Sequence, residues 1–315
     1  FPNVKKIFYK GEQKSVEWLE KRTTELTRQG KNWEKELKNN GCCVIENALS
    51  ANLISKCINF SEKALSNLSQ EHREKNKSQG SMIHLADHPN FSELIASDDL
   101  LNALNNNFDF TDLRFSSGYL ISKPPKSPPL FWHQDWWGWE HKSSYTDFMH
   151  QIFVMIYLTD TTRENGCLKY LSGSHRKQHK FHDSKNAHSE ELARVENPDD
   201  PLFNNEENEI DVPTKLGDIV VGDARVLHAA NKNNSDKKRS LITLWFHPHY
   251  NKMTDEMRSR IYHLYIRKED GEVETDVGGI SPLNWQDEHK NKINFLAPNI
   301  ETAQPTPWQR KPNWD

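Results

Sequence analysis

The sequence predicts a mainly β core, a barrel or sandwich, with helical support on its amino-terminal side. Two observations carry this. Before Leu113 the apolar residues recur at helical spacing behind polar capping residues; after it they fall into short runs separated by turn chemistry.

In order along the chain, Ser15 is a candidate N-cap, and Val16, Leu19, Leu26, Trp33 and Leu37 form one face of an amphipathic helical region that Gly30 interrupts and Gly41 ends. Cys42 to Ile45 is a short apolar run suited to a buried strand. Ser50 caps a second helix with Leu53, Ile54, Cys57, Ile58, Ala64 and Leu65 on one stripe. Residues 66–110 are polar and punctuated, with further helical pieces. The strand runs that follow are Tyr119 to Lys123, Gln151 to Leu158, Cys167 to Leu171, Ile219 to Val221, Val226 to His228 and Ser240 to His247. Asn165-Gly166 and Gly222-Asp223 are the clearest turns between them. Thr254 caps a last helix carrying Met257, Ile261 and Leu264.

Residues 176–211 are long, charged and almost without apolar periodicity. They read as an excursion over the core with little of its own to bury, a lid whose His179, His182 and His188 are not metal ligands. The organisation expected is one domain over 1–315: helical support at 15–110, a β core at 111–250 holding the excursion, and a helix with a wrapping tail at 251–315.

The chain has 315 residues and a formal net charge of −4, which excludes a strongly basic nucleic-acid binder. Ten Trp, 14 Phe and eight Tyr supply large units of burial. No apolar run approaches the roughly 20 residues of a membrane helix, and Phe1 to Lys10 lack the apolar stretch of a signal peptide. Cys42, Cys43, Cys57 and Cys167 show neither a disulfide framework nor a C-x-x-C zinc spacing. Buried reduced thiols and a cytoplasmic location are the expectation. A small-molecule partner is expected, with neither membrane nor nucleic acid.

His133-Gln134-Asp135 places an imidazole and a carboxylate on one face of an extended segment. The triplet alone decides nothing: with 15 His and 45 acidic residues, chance supplies about two such His-x-Asp/Glu triplets. The others, His72-x-Glu74 and His188-x-Glu190, lie in charged, polar stretches, whereas His133 lies among Phe131, Trp132, Trp136, Trp137 and Trp139. His228 ends a strand run and offers a second imidazole. Two His and one carboxylate on one face of a metal make the facial triad of non-haem Fe(II) oxygenases. They also suit zinc with an open position.

At these residues the chain resembles the phytanoyl-CoA dioxygenase family of Fe(II)/2-oxoglutarate-dependent oxygenases. The resemblance runs through Leu120 to Pro125, His133-Gln134-Asp135, Tyr157 to Asp160, Glu164-Asn165-Gly166-Cys167-Leu168, Ser172-Gly173-Ser174-His175, Gly217-Asp218, the His228 strand end and Arg239. It implies a double-stranded β-helix, or jelly roll, of cupin-like type. It also implies His133, Asp135 and His228 as ligands of Fe(II), with 2-oxoglutarate and O2 as cosubstrates. Arg239 would hold the distal carboxylate of 2-oxoglutarate, a guanidinium offering it two parallel hydrogen bonds. Lys123 resembles a second basic group on that cosubstrate, and Tyr157 matches a position lining the same pocket.

The implied activity is hydroxylation of an unactivated C–H bond with release of succinate and CO2. A carboxylate at Asp135 fills the position that related halogenases leave for a halide. Trp136, Trp137 and Trp139 are expected to rim the substrate pocket, where indoles suit a ring system or an ammonium group. Two other classes remain open on the residues alone, a non-catalytic jelly-roll binding module and a zinc hydrolase.

Overall fold

A computed structural model describes residues 7–9, 12–14, 32–184, 188–266, 284–296 and 303–314. Most of the expected first helix, from Ser15 to Lys31, lies outside the described residues. Its last turns, Trp33–Asn40, are helical and end at Gly41, whose φ of 84° is the left-handed conformation that glycine adopts without strain. Ser50 caps helix Ala51–Leu65, which buries the expected stripe of Leu53, Ile54 and Cys57.

The strands are β1 (Ile7–Tyr9), β2 (Glu12–Lys14), β3 (Cys42–Ile45), β4 (Ile83–His84), β5 (Arg114–Lys123), β6 (Leu130–His133), β7 (Ile152–Tyr157), β8 (Leu168–Leu171), β9 (Glu209–Val212), β10 (Ile219–Asp223), β11 (His228–Ala230) and β12 (Arg239–His247). Apart from the β1-β2 pair, they form a six-stranded sheet in the order β3-β10-β7-β12-β5-β4 and a four-stranded sheet in the order β6-β11-β8-β9. The pairings within both sheets are antiparallel. This is the expected jelly roll, two antiparallel sheets with helices against the larger one.

Strand β7 shows why it forms. All six of its residues are buried. Ile152, Val154 and Ile156 pack with Leu53, Ile54, Leu94 and Leu100 of the helices. Phe153, Met155 and Tyr157 alternate to the other face and join Leu168, Tyr170 and Val212 of the smaller sheet. A strand covered on both faces has no polar alternation to display, so it reads as a continuous apolar run.

The interior of the roll is tight beside the future site. A Cβ on Gly222 would lie 2.0 Å from the Phe153 ring, and that ring sits 4.7 Å from the imidazole of His228. Gly222→Ala is therefore expected to cost about 1–3 kcal/mol by overpacking and to disturb the imidazole. Thermal unfolding and metal titration of the variant check both effects; an unchanged midpoint would show that the ring has room to move.

The excursion differs from its expectation. Its described residues carry helix Glu190–Arg194, strand β9 and short helical turns at Lys180–Asp183 and Pro201–Phe203. Phe181, Leu192, Leu202 and Phe203 are buried with Phe131 and Trp132. Each short turn contributes only one or two apolar residues, so the segment has a core but no period. Thr254 caps helix Asp255–Ile266, in which Met257 and Ile261 are buried. Tail residues Trp285 and Leu296 are also buried. All four cysteines are buried free thiols. Among the described residues no helix is long and apolar enough to cross a membrane.

Candidate metal centre

Strands β6 and β11 pair so that His133 and His228 face each other across the ladder. Asp135 is set two residues past His133, where its N–H and that of Trp136 both donate to the Ala224 carbonyl, at 2.8 and 2.9 Å. The ligand-bearing atoms of His133, Asp135 and His228 all lie within 4.8 Å of one another. The smaller sheet thus brings together three residues separated by almost a hundred positions.

Their hydrogen bonds fix the chemistry. Nδ1 of His133 is 2.9 Å from the Phe131 carbonyl, and Nδ1 of His228 is 3.0 Å from that of Val226. A carbonyl only accepts, so both Nδ1 atoms carry hydrogen and both Nε2 atoms of the neutral rings are bare lone pairs. Burial, then the neighbouring His228, push the pKa of His133 well below its ordinary value, which keeps that ring neutral. Its Nε2 lies 3.7 Å from one Asp135 oxygen, and Nε2 of His228 lies 3.8 Å from the other. Lone pairs so arranged around a carboxylate repel one another unless a cation lies between them, and the donor set fits a divalent transition metal.

Arg239 opens β12, in register with Lys123 of β5. It is 1% exposed, and its Nε and Nη1 have no acceptor. The ring of Tyr157 lies 5.6 Å from the guanidinium. A buried guanidinium with two unsatisfied donors fits the distal carboxylate of a 2-oxo acid. Lys123 stands beside Arg239, and its ammonium donates to the carbonyls of Ser78, at 2.7 Å, and Pro128. Burial, followed by the charge of Arg239, lowers its pKa well below the ordinary lysine value. Those two hydrogen bonds tie the β5 end to neighbouring loops.

A cavity of about 490 Å³ opens on the three candidate ligands, with Tyr119, Trp137, Gln151 and Thr243 among its walls. Of the three tryptophans expected to rim it, only Trp137 does so. All three pack in one core cluster with Tyr250, Met253 and Met257, and Trp136 and Trp139 do not reach the cavity. Trp136 donates to Ser144 Oγ at 2.9 Å, so turn geometry after Asp135 sends it inward.

Other wall residues were not singled out by sequence. Trp245 donates its indole N–H to Asp135 at 2.8 Å. Trp308 stacks on Trp137 at 5.3 Å and 7°. Nη1 of Arg310 donates to the Asp135 carbonyl at 2.9 Å. Nε2 of His188 lies 3.0 Å from the Gln134 carbonyl and 3.3 Å from Nη1 of Arg310, with its ring 5.0 Å from that of His133. The tail residues carry no local signal that announces these contacts; Trp245 had one, alternation along β12.

The strand leading to His228 is anchored by a buried ion pair. Arg225 meets Asp223 at 2.7 Å and also donates to the carbonyls of Ser144 and Thr146. Burial pushes the Asp223 carboxyl up, but the charge and hydrogen bonds of Arg225 outweigh it and hold the pKa below its ordinary value of 3.8. Its contribution to stability is thus fully present above the unfolded-state pKa and is lost as pH falls through the lower folded-state value. Asp223→Ala, which strands the guanidinium, is expected to cost about 3–5 kcal/mol at pH 7. Denaturant melts from pH 6 down to below 3 should show the gap to the unaltered protein narrowing on the acid side; a constant gap would refute the ionic account.

A model of the phytanoyl-CoA dioxygenase family matches residues 37–241, well over half of the sequence. The chain belongs to the phytanoyl-CoA dioxygenase family. Membership makes it one of the Fe(II)/2-oxoglutarate-dependent dioxygenases. Among relatives, a "probable alpha-ketoglutarate-dependent hypophosphite dioxygenase" of Stutzerimonas stutzeri is 24% identical over 229 residues, 68% of this chain and 77% of that protein. Solved structures with the same fold include the non-heme alpha ketoglutarate dependent carbocyclase SnoK from nogalamycin biosynthesis, at 21% identity and a TM-score of 0.51. That match covers 70% of this chain and 85% of SnoK. HygX from Streptomyces hygroscopicus, solved with nickel and 2-oxoglutarate, has 18% identity and a TM-score of 0.50, covering 68% and 85%.

Proposed function

We propose that this family member hydroxylates an unactivated C–H bond of a small-molecule metabolite, consuming 2-oxoglutarate and O2 and releasing succinate and CO2. His133, Asp135 and His228 hold Fe(II), and Arg239 holds the distal carboxylate of 2-oxoglutarate. The observation that carries this reading is the pair of bare Nε2 atoms set against the Asp135 carboxylate, together with a buried guanidinium whose donors lack an acceptor.

When bound, the iron with its cosubstrates supplies the oxidising power that removes hydrogen from carbon. The chain's own groups orient the ligands. The carbonyls of Phe131 and Val226 hold the imidazoles in one tautomer. The indole of Trp245 donates to one oxygen of Asp135 and so fixes the orientation of the carboxylate that would hold the metal. Trp137 and Trp308, stacked on each other, form part of the wall of the cavity that opens on the ligands. Asp135 as a ligand leaves no halide position, which supports hydroxylation over halogenation.

The test is succinate formation from 2-oxoglutarate under air with Fe(II), and its absence with Zn(II), followed by product analysis with candidate metabolites. Turnover with Zn(II) and without O2 would replace the oxygenase by a hydrolase. Products that gain no oxygen would retain the family chemistry and discard hydroxylation.

A further inference from the structure

A second cavity of about 310 Å³ adjoins the first and shares His133, His188, Trp308 and Arg310 with it. Its remaining walls come from the excursion, with Phe181, His182 and Ser184, from the tail, with Gln309 and Lys311, and from Gln134 and Leu227 beside the two candidate imidazoles. No Asp or Glu is among its described lining residues. The ion pair of Lys311 with Asp183, at 3.0 Å, ties the two segments together at its edge.

Two polar atoms in this wall are buried without a partner, Nε2 of His182 and Oε1 of Gln134. The tautomer of His182 is set by its own turn. The His179 backbone N–H donates to His182 Nδ1 at 3.1 Å, so Nδ1 is the lone pair and Nε2 of the neutral ring carries the hydrogen. His182 is 4% exposed, and a buried N–H without an acceptor is costly. Gln134 is the complementary case. Its amide Nε2 donates to the Arg310 carbonyl at 2.6 Å, leaving Oε1 as an acceptor without a donor. A donor imidazole, an ammonium, a guanidinium and one lone acceptor match a protonated oxyanion, which takes hydrogen bonds on its charged oxygens and gives one from its O–H.

We infer that the cavity walled by His182, Gln134, Arg310 and Lys311 is an oxyanion site of the phosphate type beside the metal centre. Its occupant is either a free anion or the head group of the substrate. The metal's place in this inference rests on the reading given above; the anion site itself does not.

Calorimetric titration of the metal-free protein with inorganic phosphate reads the site alone, and 31P line broadening in the Co(II)- and 2-oxoglutarate-loaded protein reads its closeness to the metal. Saturable binding is expected, weakened about tenfold in His182→Phe, which keeps a ring and removes the donor. His182→Gln, whose amide N–H replaces Nε2–H, should restore most of it. Metal affinity in both variants serves as the folding control. Repeating the titration with hexyl phosphate separates the sources: tighter binding than phosphate assigns a substrate head group, and equal binding assigns a free anion.

Absence of saturable phosphate binding overturns the inference, as does equal affinity in the unaltered protein and His182→Phe. Broadening that survives His182→Phe unchanged places the phosphate on the metal and overturns it as well. Failure of Co(II) to bind while calorimetric phosphate binding persists refutes the metal reading and leaves the anion site standing.

Discussion

His228→Ala is expected to reduce metal affinity by at least about a hundredfold and 2-oxoglutarate turnover to background, with little loss of stability in the metal-free protein. Two donors remain after the substitution, and the third lay on the opposite strand of the same ladder. Lost supporting interactions alone cost a site roughly 10–100-fold in affinity, so a lost ligand costs more. Metal-free stability should hold because the imidazole contributes little that favours the empty state: its Nε2 faces the Asp135 carboxylate at 3.8 Å without a bridging proton. Metal at a hundred times its Kd should stabilise the unaltered protein by about 2.7 kcal/mol and the variant hardly at all. His133→Ala should behave in the same way. Asp135→Ala should keep weak binding through two imidazoles while leaving the Trp245 N–H without its acceptor. Thermal melts with and without Ni(II) or Co(II), beside succinate assays with Fe(II), check all three. Full turnover in any of them would remove that residue from the metal site.

What was legible in the sequence follows the range of the interactions. Gly41 and Ser50 act on their own helix ends, so their roles could be read locally. A barrel or sandwich was legible because its runs are buried or half-buried strands bounded by turn residues; the jelly roll came with the family resemblance. His133 and Asp135 share one short segment, whereas His228 was a candidate only as the end of a strand run, and the β6-β11 ladder joins it to them. Trp136, Trp137 and Trp139 show the limit. The three share one core cluster, yet only Trp137 reaches the cavity, a distinction set by the chain's turn after Asp135 that leaves no periodic trace. For Lys123 the register beside Arg239 follows from the strands, whereas the carbonyls that engage its ammonium belong to loops and leave no sequence trace. Trp308 and Arg310 lie beyond the segment matched by the family and reach the site only by packing.

Arg239→Leu is expected to abolish saturable 2-oxoglutarate binding and, in the protein without 2-oxoglutarate, to raise thermal stability. The guanidinium is 1% exposed, its Nε and Nη1 have no acceptor, and burial pushes its pKa below the ordinary arginine value. An unpaired buried charge is a cost to the folded state, and an apolar side chain of lesser polarity removes it. Lys123 lies in register on the adjacent strand, so leucine also removes a like charge. The same substitution deletes both donors intended for the distal carboxylate. Arg239→Lys separates charge from geometry. An ammonium keeps the charge and loses the two-pronged fit, so the KM for 2-oxoglutarate should rise about 10–100-fold, the equivalent of one charge-assisted hydrogen bond, while kcat falls less. Thermal shift by 2-oxoglutarate in the metal-loaded protein provides a binding readout independent of turnover. The unaltered protein should gain stability with 2-oxoglutarate, Arg239→Lys should need higher concentrations, and Arg239→Leu should begin higher and not respond. A leucine variant destabilised without 2-oxoglutarate would mean that the guanidinium has a structural partner in the folded chain, and an unchanged KM in both variants would move the carboxylate anchor to another residue.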